Sequence, residues 1–148
     1  MRASGSSRAG SDRLGRYRYW FYAAALYNLI WGSVNAIAPS LVFRILRLPP
    51  PKDPPYWQVV GMFVLVYAPG YWWVARYPER HRHLVLIGML GKLLGPIGFV
   101  WAARRGQIAP AFGWINLTND LIWWPAFALY LRDAARQSGG WLRFVSGE

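Results

Sequence analysis

The sequence predicts an all-α integral membrane protein, an antiparallel four-helix bundle with a short interfacial helix after the first span. Three observations carry this. Four runs are apolar almost throughout, each roughly the twenty residues that a helix needs to cross a hydrocarbon layer. Charged residues, 16% of the 148, collect in the tails and connectors. None of the four runs has the polar outer face that a soluble helix shows at helical period.

Residues 1–17 are basic, rich in Ser and Gly, and predict a disordered cytoplasmic tail. The membrane domain follows over 18–135. Its first span is 19–38, which ends in Ala36-Ile37-Ala38 and so also resembles a signal-peptidase site. Pro39 after that site, the length of the run and the interruption by Asn28 argue for a retained span. In the 39–56 connector Ser40 can cap a short helix, LVFRILRL, with Arg44 and Arg47 on one face, lying in the interface plane. The PPPKDPP that follows should be extended, because proline disfavours helix in the residue before it. The second span, 57–75, contains Pro69, which should kink it and free a carbonyl. The third, 84–103, holds Lys92, Pro96 and a strip of small residues, Gly88, Gly91, Gly95 and Gly98. The fourth is 114–131, and residues 136–148 form a second cytoplasmic tail.

Tryptophan agrees with these limits. Trp20, Trp57, Trp72, Trp73, Trp101 and Trp114 fall near span ends, where the indole settles between headgroup and acyl chain. Eleven of the seventeen Lys and Arg residues lie in the two tails and the 76–83 connector, and five in the other two connectors. The positive-inside rule therefore puts both termini in the cytoplasm of a multi-pass protein of the bacterial inner membrane.

A net charge of +11 raises nucleic acid as a partner, but the basic residues border apolar runs instead of sharing one exposed face, so no nucleic acid is expected. With no cysteine, disulfides, thiolate metal sites and thiol redox chemistry are excluded. His81 and His83 stand among arginines with only Glu79 nearby, so no metal and no cofactor are expected. Gly91-Lys92-Leu93 lacks the earlier glycine and the following Ser or Thr of a phosphate loop. No span holds a second carboxylate beside Asp120, and no serine sits in a nucleophile-elbow context.

The polar residues inside the spans are the unusual ones. Lys92 lies about 12 Å from the cytoplasmic face and Asp120 about 9 Å from the opposite one, at 1.5 Å per residue. An unpaired charge at that depth costs ~2.5–3.5 kcal/mol, so the two are expected to pair. Asn116, Asn119, Asp120 and Trp123 recur at helical spacing on one face of the fourth helix. Asn28 on the first span and Tyr67 on the second add polar groups, and Trp31, Trp123 and Trp124 would supply apolar walls. These residues predict a site that binds or carries a small amphipathic or lipid-like molecule. Two alternatives stand beside it. One is a membrane isomerase using Asp120 and Lys92 as acid and base. The other is an accessory subunit whose Gly88, Gly91, Gly95 and Gly98 strip docks another membrane protein.

The order of YNLIWGSVNAIAP in the first span, GKLLGPIGF in the third and LTNDLIWWPAF in the fourth resembles a group of small four-span bacterial membrane proteins. In layout, over 17–135, the chain is similar to DoxX-like proteins. That resemblance implies a compact four-helix membrane bundle and no particular reaction. Such groups can carry a peroxidase-type label, and the absence of cysteine departs from thiol peroxidase chemistry.

Overall fold

A computed structural model describes residues 13–147. Among them the chain is all-helical, with no strand. The elements are α1 (Arg18–Ile37), α2 (Leu41–Ile45), α3 (Pro54–Arg76), α4 (Arg82–Arg104), α5 (Gly113–Asn119), α6 (Trp124–Gln137) and α7 (Trp141–Ser146). Two of these, α3 and α4, are long and apolar enough to cross a membrane. Their most apolar stretches are only 28% and 17% buried, the reverse of a helix in a soluble core, which turns its apolar surface inward.

Helices α1 and α3 form the most extensive contact in the molecule. Glycines on both sides allow it. A Cβ on Gly32 would stand 2.7 Å from the backbone nitrogen of Leu65, and one on Gly61 would stand 2.6 Å from that of Ala36. The backbones meet where only hydrogen fits, as in close membrane-helix crossings. Asn35, fully buried here, donates to the Trp31 carbonyl at 2.7 Å and accepts from the Trp57 indole at 2.6 Å.

The largest buried cluster lies toward one end of the bundle. Phe21 packs on Tyr130 and Phe127 with ring centroids 4.9 and 5.2 Å apart, and Tyr71 packs on Phe127 at 5.3 Å. Leu14, Tyr17 and Phe144 join this core. The tail predicted over 1–17 is therefore corrected at its end: Leu14 and Tyr17 are buried, and its residues 1–12 lie outside the described residues.

The segment predicted as a fourth span, 114–131, is not one helix. α5 ends at Asn119, Asp120 leaves helical geometry at φ −122°, ψ −64°, a 3₁₀ turn covers Leu121–Trp123, and α6 begins at Trp124. Local chemistry explains the break. Thr118 returns its hydroxyl to the carbonyls of Trp114 and Ile115, at 3.1 and 3.3 Å, a bonding pattern that bends helices. Pro125 lacks an N–H, and in a continuous helix its ring would press on the Leu121 carbonyl, so the helix restarts beside it.

The 39–56 connector also differs from expectation. α2 ends at Ile45, so Arg47, at φ 53°, lies beyond it and does not extend a face with Arg44. Ser40 holds the cap position without a side-chain cap bond. Phe43 anchors the segment instead, buried against Trp57 and Phe112. The proline run is extended only to Asp53; Pro54 and Pro55 open α3, where a first-turn residue needs no N–H partner.

Candidate functional site

The break in the fourth segment builds the polar centre. In a continuous helix the Asn119 carbonyl would receive the N–H of Trp123, but that N–H turns to Asp120 at 3.1 Å. The freed oxygen accepts a hydrogen bond from Lys92 Nζ at 2.6 Å. A reciprocal bond runs the other way. Pro96 has no N–H to offer the Lys92 carbonyl four residues earlier, and the Trp124 indole donates to that carbonyl at 3.0 Å. α4 and the broken segment thus satisfy each other's orphaned backbone groups.

This corrects the expected pairing. Lys92 and Asp120 are both buried, yet they form no ion pair within 4 Å; the ion pairs among the described residues are those of Asp133 with Arg16 and Arg132. Lys92 Nζ lies 5.9 and 5.7 Å from the ring centroids of Trp123 and Phe127, within reach of a cation–π attraction. Asp120 accepts from the Asn119 side-chain amide at 3.0 Å, and its other oxygen occupies the space over Gly95.

Beside these groups lies a cavity of about 140 Å³, lined by Asn28, Tyr67, Lys92, Asn119 and Asp120 together with Phe63, Val64, Tyr71, Gly88 and Gly91. Five sequence-predicted residues meet there. Asn28 is 3% exposed, and its Oδ1 is fully enclosed without a hydrogen-bond partner. The Asn119 Oδ1 is enclosed and unbonded as well, and its amide nitrogen is committed to Asp120, so this atom is available only as an acceptor.

The remaining predicted residues have other places. Asn116 reaches toward Gly95 beside Asp120, off the cavity wall. Trp31 packs edge-on to Trp57. Trp123 donates to the Thr118 carbonyl at 3.1 Å, and Trp124 to that of Lys92, so both indoles serve backbone groups exposed by the break and by Pro96. The shared face drawn for Asn116, Asn119, Asp120 and Trp123 does not extend to Trp123, because α5 ends at Asn119 and Trp123 lies beyond the break. Phe63, Val64 and Tyr71 are lining residues that sequence reasoning missed; Tyr71 stands four positions after Tyr67 and shares its face. Its hydroxyl fills the space where a Gly88 side chain would stand.

The glycine strip of α4 is likewise divided. Gly88 and Gly95 make room for Tyr71 and Asp120, whereas a Cβ on Gly91 or Gly98 would meet nothing within 4 Å. It is not a helix–helix seam within this chain.

A second polar group ties the chain's ends together. Asp133 accepts from Tyr17 at 2.8 Å, from Arg132 at 3.2 Å and from Arg16. Burial acts to raise the Asp133 carboxyl, but the Tyr17 and Arg132 hydrogen bonds and the Arg16 charge prevail and hold it below the usual aspartate range. Burial pushes Glu79 upward, against Arg82 and Gln137. His83 bonds the Phe144 carbonyl at 2.7 Å and stacks on that ring, while His81 lies beside Trp73 and Tyr77. No group of three His, Cys, Asp or Glu side chains among the described residues is placed to hold a metal.

No family profile, curated protein or solved structure matches the chain. The DoxX-like likeness rests on sequence layout.

Proposed function

We propose that the chain is a four-span inner-membrane bundle with both termini in the cytoplasm, and that its central cavity holds the polar end of a small amphipathic ligand. The unbonded Asn28 Oδ1 carries this reading. A buried acceptor without a partner costs about 1–3 kcal/mol, and a ligand group that donates a hydrogen bond would remove that cost. Lys92, Asp120 and the Asn119 carbonyl oxygen of the side chain stand around the same space.

Size narrows the ligand. At about 140 Å³ the cavity falls below the ~300–1,000 Å³ of sites that enclose whole small molecules. Only a polar end of several heavy atoms fits. Phe63, 68% exposed, and Gly91 are lining residues on the outer surface, so the cavity opens between α3 and α4, where an apolar tail can leave toward lipid. The membrane reading draws on the outward apolar surface of α3 and α4 and on the distribution of Lys and Arg.

The test is native mass spectrometry of the protein purified in mild detergent. A lipophilic species should accompany the wild type and be lost from Asn28→Leu. It should also be lost from Gly91→Leu, which blocks the opening in space that is otherwise empty. Equal retention by both variants would sink the assignment.

A second reading, acid–base isomerisation of the bound molecule, draws on Lys92 and Asp120 sharing one cavity without an ion pair. Chemical conversion of the retained ligand, abolished in Asp120→Asn, would favour it.

A further inference from the structure

At the end of the bundle where α1 begins and α3 ends, a second concavity of about 240 Å³ is lined by Arg18, Arg76, Tyr77, Pro78, Glu79 and Arg80. Three arginines line it from two separate stretches of chain, Arg18 at the start of α1 and Arg76 and Arg80 around the end of α3. The ion pairs among the described residues go elsewhere, from Arg16 and Arg132 to Asp133. Arg18 and Arg80 are exposed and, among the described residues, have no carboxylate within 4 Å. Arg76 lies 5.7 Å from the Tyr77 ring centroid, which positions its charge.

Glu79, the one acidic lining residue, does not cancel this charge. It interacts with Arg82 and Gln137, and one of its oxygens is enclosed. The wall is also held in shape. The Tyr77 carbonyl accepts from the N–H groups of Arg80 and His81 at 3.1 and 3.3 Å, and the Pro78 carbonyl accepts from the buried Tyr130 hydroxyl. Trp72 and Trp73, each about half exposed, precede Arg76 by one turn, at the level where indoles meet headgroups.

We propose that Arg18, Arg76 and Arg80 form a binding site for a phosphate-bearing anion. Guanidinium forks match phosphate oxygens in pairs, and among the described residues the three charges have no ion-pair partner within 4 Å. The group is either the headgroup of an anionic lipid or free phosphate. The lipid source rests on the four-span reading; the charge argument does not.

The full chain in neutral detergent is presented with phosphatidylglycerol, with phosphatidylcholine and, separately, with inorganic phosphate. Native mass spectrometry reads lipid retention and thermal unfolding reads phosphate binding. The wild type should retain phosphatidylglycerol over phosphatidylcholine. The double variant Arg18→Gln, Arg80→Gln should lose that preference by roughly 25-fold, since each basic residue near an anionic surface is worth about fivefold. The single Arg80→Gln should lose about fivefold, and Arg104→Gln with Arg105→Gln, at the other end of α4, should lose none. Stabilisation by phosphate, absent in the double variant and unaccompanied by lipid preference, would identify free phosphate as the source. Anionic lipid retained equally by the double variant, or no response to either probe, would overturn the site. Reporter fusions that read the membrane threading separately keep a failure of this site distinct from a failure of the four-span reading.

Discussion

Pro96 and Trp124 show how one residue's deficiency is met by another far along the chain. The proline leaves the Lys92 carbonyl without its helical donor, and the indole supplies one. Trp124→Phe should therefore strand that carbonyl and cost about 1–3 kcal/mol. In a Pro96→Ala background the helix regains its own N–H, so the same Trp124 change should cost far less. A double-mutant cycle by detergent unfolding measures the difference; equal losses in the two backgrounds would mean that the indole does not serve the carbonyl. Lys92→Met acts on the reciprocal bond. It strands the Asn119 oxygen and should destabilise by a similar ~1–3 kcal/mol, whatever it does to ligand binding.

Among the elements, α1 and α3 are locked by glycine and α4 is not. Gly32→Ala and Gly61→Ala force a Cβ into backbone atoms less than 3 Å away, and each should destabilise by about 1–3 kcal/mol or more. Gly91→Leu meets open space and should unfold like wild type. Comparable losses at all three positions would refute the asymmetry. α6 is joined to the N-terminal segment through Asp133, whose carboxyl is held below the ordinary aspartate value of 3.8. Its contribution is complete above 3.8 and is lost as pH falls through the lowered folded value. Glu79, raised by burial above its ordinary 4.5, has the opposite sign: protonating it between its raised value and 4.5 relieves a penalty on the folded state. Thermal midpoints followed down from neutral pH should rise slightly through the Glu79 window and then drop below 3.8. Asp133→Asn should lessen the drop, and Glu79→Gln should remove the rise.

For the whole molecule, the uneven Lys and Arg distribution predicts a threading that fusions can read. Reporters placed after residues 80 and 140 should report cytoplasm, and those after 40 and 107 the outside. A cytoplasmic signal at 107 would overturn this threading and the depth assigned to Lys92 with it. The loose meeting of α3 and α4, compared with α1 and α3, puts the opening of the cavity on this flank.

Hydropathy and spacing along the chain determined the helical class, the limits of α1, α3 and α4 to within a few residues, and the gathering of Asn28, Tyr67, Lys92, Asn119 and Asp120 around one space. These follow from local composition and from burial of polar groups, both written in the order of residues. The break at Asp120 was not read from the sequence, which predicts one continuous span over 114–131; a membrane helix often runs through residues such as Thr118 and Pro125 when neighbours supply the missing bonds. Here the neighbours support the interruption, since Lys92 takes the oxygen that the break releases. Tertiary structure alone decided that Lys92 would bond a backbone carbonyl and make no ion pair with Asp120. Depth along a helix axis places two charges at one level, but their separation depends on which backbone groups are left unsatisfied between them, and that exists only once the helices have packed.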